Sequence, residues 1–170
     1  CKVPVERFSP QAAAERLGEV SEGTRLMVGF VAEAEEGDTA ETLAARLKAA
    51  GFVRLYPQVG ARSVPATLVI VDRLTAGGQA AQRLRDSLET AFNQGNGRAV
   101  AFVDGGTVPL DDRTWQRFDF SSRLEYPSCH RAFADPEPRR LSFNSPLGAC
   151  PTCEGFGNVT ELDMSLIVPD

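Results

Sequence analysis

Up to residue 106 the chain alternates between helical and extended patterning, and beyond it the alternation stops. That order asks for a single sheet with helices packed on at least one of its faces. "SPQAAAERLGEV" (9–20) places Ser9 as a helix cap and Pro10 at the first helical position, where a missing N–H costs nothing, with Gly18 as the stop. "TRLMVGFVA" (24–32) is an apolar, β-rich run and reads as a buried strand. In "DTAETLAARLKAAG" (38–51), Asp38 and Glu41 have capping-box spacing, Leu43, Leu47 and Ala50 share a face, and Gly51 suits a left-handed terminus. "FVRLYPQV" (52–59), "TLVIVDRL" (67–74) and "RAVAFVDGG" (98–106) read as further strands. Between the last two, "QAAQRLRDSLETAFNQ" (79–94) carries a stripe of Ala80, Leu84, Leu88 and Ala91. The expected fold is α/β (α+β): four or five strands covered by two or three helices.

From Thr107 to Asp170 the chain is rich in Pro, Gly and Ser and shows no long helical period. Such a stretch holds little core and needs a metal or a partner domain to order it. The boundary is placed between Asp111 and Phe120, giving an interaction domain over 1–115 and a zinc-ribbon-like segment over 116–170.

The tail holds the metal chemistry. Cys150 and Cys153 form a C-x-x-C in "CPTCEGFG", half of a tetrahedral site, and the glycines after it let amides turn back toward thiolates. A second pair belongs about 15–20 residues away. "YPSC" (126–129) has that form, except that Tyr126 stands where a cysteine would be. Three readings remain. Zinc is held by Cys129, Cys150 and Cys153, with His130 or a non-protein ligand as the fourth donor. Alternatively the metal is lost and the thiols are small side chains or an oxidised pair. In the third reading Cys150 and Cys153 are a thioredoxin-like redox pair.

Other classes are narrowed by what the residues lack or balance. A formal net charge of −5 argues against an autonomous nucleic-acid binder. "EAEEGD" (33–38) reads as a solvated acidic loop. No apolar run is long enough to cross a bilayer, and four cysteines without an export signal point to a reducing compartment. The chain starts at Cys1 without Met, as an excised fragment would. "VDGG" and "TAGGQ" match no phosphate-binding loop, so no nucleotide site is expected. Asp111 and Asp112 read as a solvated turn, not an acid–base pair. Arg54 and Arg73 lie in β-rich runs, where a guanidinium faces solvent, pairs with a carboxylate, or anchors an acidic partner.

"PEPRRLSFNSPLGACPTCEGFG" (136–157) closely resembles the segment that leads into the first zinc module of the UvrA family, and "TELDMSLIVPD" (160–170) looks like its continuation. "GFVRL" (51–55), "VIVDRL" (69–74) and "RLRDSLETAF" (83–92) are similar to that family's partner-binding domain. The resemblance covers essentially the whole chain. It implies a cytoplasmic DNA-repair fragment that docks UvrB and is not itself an enzyme. Its parent would be a dimeric ABC-type ATPase that finds DNA lesions, so DNA is engaged through the parent only. The family's UvrB-contacting arginines fall on Arg54 and Arg73, and its zinc ligands on Cys129, Cys150 and Cys153. The chain departs from the family at "EAEEGD", where a basic stretch is usual, at Tyr56, where an Arg is common, and at Tyr126, where the first zinc Cys belongs. Cys1 matches a family cysteine, but its C-x-x-C mate position is Pro4. The rival is a zinc-module nucleic-acid binder or a fragment like the DnaJ cysteine-rich region, whose C-x-x-C-x-G-x-G occurs here once.

Overall fold

The computed structural model describes residues 5–35, 37–59, 64–126, 129, 131–142, 145–150 and 152–158. It divides into two compact units, Cys1–Phe133 and Ala134–Asp170.

In the first unit the elements run α1 (Pro10–Gly18), β1 (Arg25–Glu33), α2 (Ala40–Ala49), β2 (Leu55–Val59), β3 (Pro65–Thr75), α3 (Ala81–Gln94), β4 (Arg98–Leu110) and β5 (Arg113–Ser121). The five strands form one sheet in the order β2-β3-β1-β4-β5, and every neighbouring pair is antiparallel. The α+β expectation is met.

The first two helices start at side-chain caps, one of them shifted from the expected residue, while α3 follows a 3-10 turn at Gly78–Ala80. The Ser9 hydroxyl accepts the Ala12 N–H at 3.1 Å, with Pro10 in the first turn of α1. For α2 the cap is Thr39, one residue later than Asp38. The Thr39 hydroxyl accepts the Thr42 N–H at 3.2 Å, and the Thr42 hydroxyl accepts the Thr39 N–H at 2.9 Å. This closes the capping box without Glu41. Gly51 follows α2 with φ +93°, the left-handed turn expected of it.

The two faces of the sheet are covered differently. On one face Leu26, Val28, Phe30, Val69, Ala99 and Ala101 pack under the helices, against Leu17, Leu43, Leu84 and Leu88. The bidentate bond from Arg83 of α3 to Asp72 of β3, at 2.7 and 2.8 Å, helps seat the last helix. Burial works to raise the Asp72 pKa, but the bonds from Arg83, Ser87 and the Arg73 N–H outweigh it and hold it below the ordinary value. On the other face Met27, Leu68, Ile70, Val100 and Phe102 form a second cluster that meets no helix and is closed by Trp115 of β5.

Trp115 reaches that position because β4 does not end at Gly106. Its register slips between Asp104 and Val108, both of which pair with Trp115, so Gly105, Gly106 and Thr107 bulge out. Gly105 has φ +97°, and a Cβ on Gly106 would lie 2.0 Å from the Gln116 nitrogen. Beyond the bulge the β4–β5 hairpin lies over the helix-free face as an arm, with Val108 and Leu110 on the second cluster. Asp111 and Asp112 make its two-residue turn.

The division at 133/134 falls later than the boundary expected at 115/116. β5 is an integral strand, and the segment after it stays tied to β4. Arg98 donates to both oxygens of the buried Glu125 at 2.6 and 2.7 Å, and Glu125 also bridges in antiparallel fashion to Ala132. In the second unit the described residues make 3-10 turns at Pro138–Leu141 and Pro146–Gly148, followed by the cysteine turn. "TELDMSLIVPD" lies outside the described residues.

Candidate functional site

Arg73 pairs across the ladder with Met27, and Met27 belongs to the helix-free cluster, so Arg73 stands on that face. Its Nη2 donates to Asp111 Oδ2 at 2.6 Å and to the Tyr56 hydroxyl at 2.9 Å. The Tyr56 hydroxyl in turn donates to Asp111 Oδ1 at 2.9 Å. Burial, then the hydrogen bond and charge of Asp111, push the Tyr56 pKa up; Arg73 works against them. Asp111 is thus not a merely solvated turn residue: the arm carries it onto β2 and β3. The Arg73 and Asp111 side chains remain 42% and 39% exposed, so their pair contributes no more than about 1 kcal/mol and can be opened by a competitor.

Arg54 stands immediately before β2 and not within it. Its carbonyl continues the ladder by accepting the Ile70 N–H at 3.0 Å, while its exposed guanidinium makes no ion pair among the described residues. Val53 beside it is 81% exposed, an isolated apolar side chain next to a free cation. Arg25 of β1 is likewise exposed and unpaired among the described residues. It lines, with Arg73, Arg83, Arg113, Asp111, Asp112 and Trp115, an open groove of about 980 Å³. The groove thus gathers four arginines in a chain of net charge −5. A second cleft of about 840 Å³ carries Arg46, Arg98 and Arg117, but each is matched internally, to Glu35 and Asp38, to Glu125 and to Asp119. In the first groove Arg73 is matched to Asp111, Arg83 to Asp72 and Arg113 to Asp104, which leaves Arg25 as its one cation with no internal match among the described residues.

The cysteines belong to different units. Cys129 is an exposed free thiol between Tyr126 and Arg131, and the Tyr126 N–H donates to the Arg131 carbonyl at 3.1 Å. The Tyr126 ring packs edge-to-face on Phe133 at 5.1 Å, so the position where a zinc Cys was sought serves aromatic packing. His130 lies outside the described residues. In the second unit Cys150 is exposed and Cys153 half-buried, both as free thiols. The backbone N–H groups of Cys153 and Thr152, then the side chains of Thr152 and Cys153, hydrogen-bond Cys150 and lower its pKa to about 7. The Cys150 carbonyl accepts the Glu154 N–H at 2.7 Å, and Glu154 and Gly155 continue with φ +50° and +95°. Amides wrapped onto a thiolate in this way suit half of a tetrahedral zinc site. Among the described residues no group of three or more His, Cys, Asp or Glu could hold a metal. Among the described residues the C-x-x-C follows the 3-10 turn at Pro146–Gly148 and adjoins no strand or α-helix. No described helix is long and apolar enough to cross a membrane.

No protein-family model matches the chain. Curated relatives do. The chain is 39% identical over 182 residues to the UvrABC system protein A of Streptomyces coelicolor, with all of the chain covered and 18% of the relative. It is 40% identical over 185 residues to the protein of that name from Mycobacterium leprae, covering 19% of it. For Mesorhizobium japonicum the identity is 32% over 194 residues and the share is 20%. The chain therefore spans under a quarter of the length of these relatives.

Proposed function

Because the chain belongs to the UvrA family, as one segment of it, we propose that it is the docking module through which a UvrA-like nucleotide excision repair protein recruits UvrB to damaged DNA. One observation carries this reading: Arg54, Arg25 and Arg73 stand on the helix-free side of the sheet in a chain of net charge −5, the first two exposed and without an ion pair among the described residues. Guanidinium groups in such a setting recognise carboxylates, so the complementary surface of UvrB is acidic. The segment contributes binding and no catalysis. DNA and nucleotide belong to the intact parent, and the compartment is the cytoplasm. Zinc is part of the proposal at the second unit, where Cys150 and Cys153 would hold it. Its contribution there is to folding a segment with little core of its own.

Titrating UvrB into the 170-residue chain at rising ionic strength tests the docking role. Binding that weakens as salt screens the arginines is expected. Absence of binding at low salt, or an affinity indifferent to salt, would remove the proposal.

A further inference from the structure

Arg113 and Arg117 hold carboxylates of their own β4–β5 hairpin, Asp104 and Asp119, whereas Arg73 on β3 holds one brought to it from another part of the sheet. The Asp111 side chain sits against both the Arg73 guanidinium, at 2.6 Å, and the Tyr56 hydroxyl, at 2.9 Å. Arg54 and Arg25 have no such occupant among the described residues. Asp111 comes from far along the chain, on the turn of the arm, and is held in the left-handed region with φ +54°. Its carboxylate thus outlines a seat with two fixed donors, one charged and one neutral, that is open to solvent.

We propose that Asp111 is an internal stand-in for a carboxylate of the docking partner, and that docking exchanges one for the other between Arg73 and Tyr56. This rests on the docking reading and adds the chemistry of the contact. The partner presents an Asp or Glu at a projecting turn, narrow enough to enter beside Trp115 and Asp112 at the groove. Tyr56 becomes a recognition residue: its hydroxyl donates to the incoming oxygen as it now donates to Asp111. Arg54, beside the exposed Val53, takes a second contact without competition.

Asp111→Asn keeps the turn and removes the competing charge. In the 170-residue chain it is expected to tighten UvrB binding on the order of three- to sixfold, the worth of a half-exposed ion pair. The gain should vanish when Arg73 is also changed to Gln. Without partner, the Tyr56 phenol of Asp111→Asn should titrate lower than in the parent chain, because the main charge that raises its pKa is gone. The fluorescence of the single tryptophan, Trp115, reports whether the arm stays seated. If Asp111→Asn leaves affinity unchanged or weaker with the arm in place while Arg73→Gln weakens it, the exchange is wrong and the docking surface stands. A gain that persists in the Arg73→Gln background also overturns the exchange. If neither Arg73→Gln nor Arg54→Glu alters affinity, both proposals fall.

Discussion

Arg73→Glu is expected to weaken UvrB binding by about 2–4 kcal/mol, roughly 30- to 1,000-fold, the range of an interface anchor. The reversal removes the donor aimed at a partner carboxylate and sets a like charge beside Asp111, repelling the same partner. Stability should change little, because the side chain is 42% exposed and its ion pair is a surface one. Arg54→Glu should act in the same direction, since its guanidinium is exposed and its part in the sheet is made by its carbonyl, which any residue supplies. Titration calorimetry with both variants, alongside their thermal melts, separates binding from folding. Unchanged affinity in both would move the docking surface elsewhere.

The largest effect on stability is expected from Trp115→Ala, about 3–5 kcal/mol by analogy with other large aromatic truncations in cores. Trp115 is 5% exposed, closes the helix-free cluster over Met27, Ile70, Val100 and Phe102, and donates its indole N–H to the Leu110 carbonyl at 3.0 Å. Removing it opens a cavity and frees the arm at once. The loss should appear as a lower denaturant midpoint, and the Asp111 contact with Arg73 and Tyr56 should go with it, lowering the Tyr56 pKa. A loss below about 1 kcal/mol would show that the arm contributes little to the folded state, contrary to the packing described.

What the residues disclosed in advance was what local pattern encodes. α1, α2, α3, β1 and β3 were legible because caps, apolar stripes and β-branched runs are properties of neighbouring residues. β5 was not. "VDGG" looked like the end of a strand, whereas Gly105 and Gly106 bulge within one. A strand interior glycine is itself a bulge signal, and "DD" between Leu110 and Arg113 fits a two-residue turn. Those two clues would have extended β4 and found the arm. Asp111 could not be assigned from pattern at all, since its partners lie 55 and 38 residues away in the chain. Arg54 and Arg73 were open to several readings on composition alone, and only the family resemblance singled them out. For the cysteines, the spacing of Cys150 and Cys153 foretold a turn with amides on sulfur, and Tyr126 removed the symmetric partner that a four-cysteine site requires.

Docking as proposed brings the partner to the helix-free face of the sheet. Amide hydrogen exchange of the 170-residue chain, alone and saturated with UvrB, reads that directly. Protection is expected at residues 52–56, at 72–75 and along the arm at 108–115, with α1, α2 and α3 unchanged. Protection confined to the helices, with the arm and the arginine strands exchanging as before, would contradict it.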